Sequence, residues 1–306
     1  MNLPLKGFNV VDLSHRLPGP MAGKILQDLG ASVTKIEDQK FRDPFLSGLF
    51  ANFDKSFIDW YDNLNRHKKV LRFDFNNSND QKEIQNLVKN ADAVIMGIPE
   101  NTRQKLGLLN NELTLNKPFV VIELLASKTH QRSLHDLNSL ADEGLLSLHV
   151  QGRNELIVDP PFLPIAGISF GHKGATDLLA HWIVALKNNQ TVFAKTYMDE
   201  ATREIFGIFW PNSDRDNHRK KYLHNGQYPC YSIYQTKDAH YVAIAAVEEK
   251  FWNRFCELFS LDAKVDRFND RDRSVFDLIS KKISSLPISE IKKIVGEEDI
   301  CMSFIP

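Results

Sequence analysis

Cysteine is scarce in this 306-residue chain. Cys230, Cys256 and Cys301 are widely spaced and form no CxxC pair, which reads as free, reduced thiols rather than a disulfide framework. Ten histidines are scattered without HExxH or any other ligand spacing, so no metal centre is expected. No window approaches the roughly 20 apolar residues of a membrane helix. The N-terminus, MNLPLKGFNVVDLSHRLPG, has no basic cap, long apolar core and small-residue cleavage site, so a cytoplasmic location is expected. An excess of one charge is also missing. Lys plus Arg number 38 against 39 Asp plus Glu, for a net charge of −1, which argues against a dedicated nucleic-acid or membrane-surface protein. There is no GxGxxG fingerprint, no low-complexity tract and no internal repeat. What remains is 42% hydrophobic and 25% charged, enough apolar surface to offset chain entropy in one large or two ordinary globular domains.

The first 40 residues read as a βαβ unit. Phe8 to Leu13 is a strand-type apolar run, and Pro18, Gly19 and Pro20 punctuate a loop. Met21 to Leu29 has helical spacing ending at Gly30, and Ser32 to Glu37 is a second strand. A loop entering a helix N-terminus between parallel strands is a favourable place for an anion. The alternation continues: strand Val70 to Phe75, helix Asp80 to Lys89, buried strand Ala93 to Gly97, helix 101–108, strand Phe119 to Leu125. This predicts an α/β fold with a mostly parallel sheet covered by helices. A flexible stretch is expected from Gly167 to Gly174, then an apolar helix from Ala175 to Leu186. Residues 211–228 are polar without an apolar period and read as a linker between a large domain, 1–210, and a small one, 229–306. In the latter, Tyr231 to Tyr234 and Tyr241 to Ala245 form a hairpin around QTKDAH. Helices are expected at Glu249 to Phe259, Val275 to Ser284 and Ile288 to Val295.

The opening strand ends in Asp12-Leu13-Ser14, followed by Gly19-Pro20 and a helix ending Asp28-Leu29-Gly30-Ala31. Asn65-Arg66-His67-Lys68-Lys69 precedes a strand, and Lys105-Leu106-Gly107-Leu108 ends a helix. Pro229 to Tyr234, Val247 to Trp252 and Asp299 to Cys301 follow in order. This collinear set resembles the class III CoA-transferase family, which includes formyl-CoA and carnitine CoA-transferases and α-methylacyl-CoA racemase. The resemblance implies a Rossmann-like large domain, a smaller α/β domain, an interlocked homodimer and an acyl-CoA substrate. Family members usually run several tens of residues past the Asp-x-Cys motif, whereas this sequence stops at Pro306, which implies a subunit without that return segment.

Two chemistries follow from the resemblance. Transferases attack the thioester with an Asp carboxylate; racemases remove and return the α-proton with two acid–base groups. His135-Asp136 resembles the racemase pair, and histidine suits proton abstraction because its pKa lies near neutrality; the plainer reading is a His beside a helix start. Glu248 falls on a racemase active-site position, against the plainer reading of a helix N-terminal Glu. The family's catalytic Asp is absent: its position falls on Ser169 or Gly171, while Asp159 lies well upstream and Asp177 inside the helix. Ser169 with His172 is an alternative nucleophile–base pair, although a drifted loop explains it as well. For the CoA phosphates, His15, Arg16, Lys68 and Lys69 are the candidates. Asp38 stands where the family often has Arg, and Gly97-Ile98-Pro99-Glu100-Asn101 replaces Asn-Phe-Arg-Pro-Gly. Arg219-Lys220-Lys221 reads first as a solvated face and second as a phosphate contact. The expectation is thus an acyl-CoA-handling enzyme nearer the racemase branch, with a CoA-transferase or a non-catalytic binding scaffold as alternatives.

Overall fold

The computed structural model describes residues 3–129, 134–150, 156–207, 223–262, 265–269 and 273–305. The chain divides into two compact units at residues 215 and 216, inside the expected 211–228 connection. Most of that connection, with Arg219-Lys220-Lys221, lies outside the described residues.

The first unit is built on six parallel strands: β1 (Asn9–Leu13), β2 (Ser32–Asp38), β3 (Lys69–Phe73), β4 (Ala93–Met96), β5 (Phe119–Leu125) and β6 (Thr191–Tyr197). Their order is β3-β2-β1-β4-β5-β6. Side chains alternate between faces, so Val10 and Val11 enter different cores. The β4 run Ala-Val-Ile-Met is buried throughout because both faces are covered. Helices follow in chain order as α1 (Pro18–Asp28), α2 (Leu49–Phe53), α3 (Ser56–Asn65), α4 (Ser78–Asn90), α5 (Glu100–Leu106), α6 (Asp136–Asp142), α7 (Leu145–His149), α8 (Ile165–Asn188) and α9 (Met198–Phe206). On one face, Ala22 and Leu26 of α1 pack with Leu178 and Ala185 of α8. On the other, Ile84 and Val88 of α4 pack with Leu106 of α5.

Two boundaries differ from the sequence reading for identifiable reasons. Helix α1 starts at Pro18 rather than Met21, because prolines fit a first turn whose N–H groups have no partner anyway. The stretch from Gly167 to Gly174, expected to be flexible, is the opening of α8. Its glycines serve packing: a Cβ at Gly171 would lie 2.7 Å from Met21 Cβ and 3.0 Å from the Pro18 carbonyl oxygen, and one at Gly174 3.1 Å from Leu124 Cδ2. Contact with α1 thus overrides the poor helix propensity of glycine. The sequence reading also passed over β6 and α9.

The second unit has the expected hairpin, β7 (Tyr231–Gln235) and β8 (Tyr241–Ala245), extended antiparallel by β9 (Met302–Ile305). Helices α10 (Glu249–Leu258), α11 (Ser274–Ser284) and α12 (Ile288–Val295) supply a core of Trp252, Phe255, Ile279, Ile283 and Ile291. Cys230 and Cys256 sit in that core, and burial pushes each thiol up to about 11, which makes them inert packing groups.

Candidate functional site

Strand order reverses between β1 and β4, the place where open α/β sheets leave a crevice at the carboxyl ends of their strands. The loop leaving β1 is Ser14-His15-Arg16-Leu17. A Cβ on Gly97, just past β4, would lie 2.8 Å from Ser14 Cβ, so only glycine lets the two loops approach this closely. His15 is half-buried and Arg16 exposed, with φ of +63°. The Arg16 guanidinium lies 5.4 Å from the centre of the Phe50 ring in α2. Burial, together with the nearby ammonium of Lys35, pushes the His15 pKa below its ordinary value, although Asp43 and Asp12 pull it back. Two of the four expected phosphate ligands are therefore at the sheet reversal.

Lys68 is not available there, which corrects the expectation. Its ammonium is sealed beneath α1, 3.0 Å from Asp12 Oδ2, and donates to the Pro20 carbonyl at 2.8 Å and to Asn65 Oδ1 at 3.0 Å. A lysine with three partners and a fully excluded side chain has no donor left for a phosphate. Asp12 also accepts a short hydrogen bond from the Ser14 hydroxyl. Lys69 is exposed, but it stands opposite Thr34 at the amino end of edge strand β3, away from the carboxyl ends that carry His15 and Arg16. The buried polar layer continues through Lys35, which is 3.3 Å from Asp43 and 4.0 Å from Glu37. Glu37 in turn accepts from the Tyr61 hydroxyl at 2.8 Å and pairs with Arg72 at 3.2 Å. Burial and that acceptor push the Tyr61 phenol up, so it stays a neutral donor. Sequence reasoning missed Lys35 and Asp43. The available signal was a lysine between Val33 and Ile36 in a strand otherwise buried on that face.

His135 and Asp136 open α6. His135 is exposed, and its backbone N–H donates to Asn138 Oδ1 at 3.1 Å. Asp136 is half-buried, and its Oδ1 accepts the Gly167 N–H at 2.8 Å. The carboxylate thus satisfies the first turn of α8 from a neighbouring helix. Burial raises its pKa above the usual carboxylate value, against the pull of the Gly167 and Ala166 amides. Ser169 does not serve as a nucleophile in this arrangement: it is buried and its Oγ donates to the Ile165 carbonyl at 2.7 Å, a local helix bond. His172 is exposed, and Gly171, the other position expected for the missing acid, has its Cβ direction filled by Met21. Gly167 is different. A Cβ there would lie 2.9 Å from Leu17 Cδ2 and 3.8 Å from Asp136 Oδ1, so the β1–α1 loop and the His135-Asp136 corner meet across it. Nearby, Asp199 of α9 accepts from Ser127 Oγ at 2.6 Å and from the Lys128 N–H at 3.2 Å, anchoring the loop after β5. Glu248 lies in the second unit, exposed at the N-terminus of α10.

The arrangement offers a cation and a neutral imidazole at a sheet reversal; an exposed imidazole, His135, precedes Asp136, whose carboxylate and Leu17 of the β1–α1 loop both lie against Gly167. Among the described residues there is no group of His, Cys, Asp and Glu able to hold a metal ion, and no helix long and apolar enough to cross a membrane.

Comparison with known proteins agrees with this architecture. The model of CoA-transferase family III matches residues 5–306. A CaiB/baiF CoA-transferase family protein of Caenorhabditis elegans is 27% identical over 286 residues, covering 90% of this chain and 78% of that protein. The α-methylacyl-CoA racemase of Homo sapiens is 24% identical over 263 residues, covering 82% of this chain and 63% of the racemase. The crystal structure of a CAIB/BAIF family protein from Brucella suis superposes with a TM-score of 0.79 at 19% identity, covering 100% of this chain and 85% of that one.

Proposed function

The chain belongs to CoA-transferase family III, and on that premise we propose that it binds an acyl-CoA thioester at the crevice beside His15 and Arg16 and exchanges the α-proton of the acyl group through His135. The observation that carries this reading is the meeting of the β1–α1 loop and the His135-Asp136 corner across Gly167. A thioester carbonyl acidifies the adjacent C–H bond. An exposed imidazole is suited to take that proton, leaving an enolate to be reprotonated. Arg16 offers a bidentate donor fork to phosphate oxygens, and His15, held neutral, offers a hydrogen bond without charge repulsion. Asp136 fixes α6 to α8 and so sets where His135 stands. The transferase alternative needs a carboxylate nucleophile, and the α8 segment Ile165–Thr176 contains none.

That same gap favours a second reading, a non-catalytic member that holds the thioester without reacting. Titration calorimetry with CoA and acetyl-CoA comes first, and micromolar binding is expected. Deuterium incorporation at the acetyl-CoA α-carbon in D2O then separates the readings. Exchange that His135→Ala abolishes supports catalysis, binding without exchange supports the scaffold, and no binding up to millimolar ligand overturns both.

A further inference from the structure

Two buried side chains grip the peptide groups on either side of His15. Lys35 rises from β2 with its side chain fully excluded from solvent, and its Nζ donates to the Ser14 carbonyl at 2.6 Å. Asp43, equally excluded, follows β2, and its carboxylate accepts the Arg16 N–H at 3.1 and 3.2 Å and the Phe45 N–H at 3.0 Å. The ammonium and the carboxylate lie 3.3 Å apart. Ser14 C=O precedes His15 and Arg16 N–H follows it, so one ion pair holds both ends of a single residue. Arg16 is left at φ +63°, a left-handed conformation that a residue with a side chain adopts only when something holds it there.

An ion pair is an expensive way to fill this space. Burying both charges costs desolvation that their attraction barely repays, and apolar residues of similar volume commonly serve stability as well or better. Apolar residues cannot, however, donate to one loop carbonyl and accept from a loop amide two residues on. The groups facing His15 are Lys35 from β2, Asp43 from the segment after it, Asp12 from β1 and Arg16 beside it, so the pair also sets the electrostatics around the imidazole.

We propose that Lys35 and Asp43 are positioning residues for ligand binding, clamping the turn at His15 so that the His15 and Arg16 side chains are presented to the CoA moiety. This rests on the reading of the crevice as a CoA site. The pair touches the ligand only through the loop it holds.

Two readouts test it, one of which needs no ligand. In Asp43→Ala, which removes the acceptor, hydrogen exchange of the Arg16 amide, followed by NMR against the Val11 amide within β1, is expected to accelerate about a hundredfold. The Kd for CoA by calorimetry is expected to rise about tenfold or more. Because Asp43→Ala strands a buried ammonium and can fail to fold, the double variant Lys35→Met/Asp43→Leu removes both charges together. Its melting temperature is expected within about 5 °C of wild type, yet it should lose Arg16 protection and CoA affinity to the same extent. A double variant that folds and keeps both wild-type affinity and wild-type Arg16 protection overturns the proposal. A wild-type chain that binds no CoA brings down the site reading and the ligand half of the proposal, while Arg16 exchange still decides whether the clamp operates.

Discussion

The ammonium of Lys68 stands 3.0 Å from Asp12 Oδ2, and neither side chain is reached by solvent. Lys68 immediately precedes β3, and Asp12 lies on β1, two strands away in the sheet. The contact therefore ties the α3–β3 turn beneath α1 to the strand that feeds the candidate ligand loop. It spends a cation from the Asn65-Arg66-His67-Lys68-Lys69 motif on structure.

Lys68→Ala should accordingly behave as a folding defect. Removing one partner of a buried pair leaves Asp12 uncompensated, at a cost of about 3–5 kcal/mol, to be measured by urea denaturation. The pair also has a pH signature. Burial alone would raise the Asp12 pKa, but Lys68, Lys35 and the Ser14 hydroxyl outweigh it and hold the carboxyl below its ordinary value. A depressed acid contributes stability above its unfolded pKa, about 3.9, and loses it as pH falls through the folded value. The deficit of Asp12→Asn relative to wild type should therefore shrink on acidification below about pH 4.

Asp136→Ala should cost about 1 kcal/mol, the usual worth of a lost helix cap, read from thermal melts. Asp136→Asn keeps an acceptor for the Gly167 amide and removes a carboxyl whose pKa burial has raised. A raised acid penalises the fold once ionised. The Asn variant should thus be at least as stable as wild type at neutral pH, and the gap should close as pH falls through the raised folded value and be gone by about pH 4. A large loss of stability in Asp136→Asn at neutral pH would contradict the capping role.

Ser169→Ala should leave CoA affinity and α-proton exchange within about twofold of wild type, since the hydroxyl is committed to the Ile165 carbonyl and a local helix bond of this kind is worth about 1 kcal/mol. A hundredfold loss in either would reinstate serine as a reacting group.

Gly171→Ala should destabilise the first unit by about 1–3 kcal/mol through overpacking, because the new methyl meets Met21 Cβ and a backbone oxygen. Gly207→Ala is the internal control: among the described residues nothing lies within 4 Å of a Cβ there, and the melting curve should barely move.

Much of the fold was legible from the chain alone. The strands β1, β2, β4 and β5 are short apolar runs bounded by turn residues, and each appears within a residue or two of its expected span. Strands β6 and β9 were not read, because an edge strand is half-exposed and its pattern, as in Thr-Val-Phe-Ala-Lys-Thr-Tyr, lacks a continuous apolar run. The glycine-rich opening of α8 read as flexible because local propensity is a weak prior and the compensating contact, with Met21 and Pro18 of α1, is some 150 residues away in sequence.

The candidate site divides in the same way. By itself the sequence determined the parallel α/β alternation, the family motifs, the position of the β1–α1 loop and the presence of His15, Arg16, His135 and Asp136, because these follow from residue type and from periods of 2.0 and 3.6 residues. Only the tertiary structure decided how the charges are used. Lys68 and Lys69 are neighbours in sequence, yet one is sealed against Asp12 and the other lies on an outer edge. Lys35 and Asp43, eight residues apart in the chain, come to hold His15 between them. A charge's role depends on which partners reach it through space and how much water is excluded, and a linear pattern specifies neither.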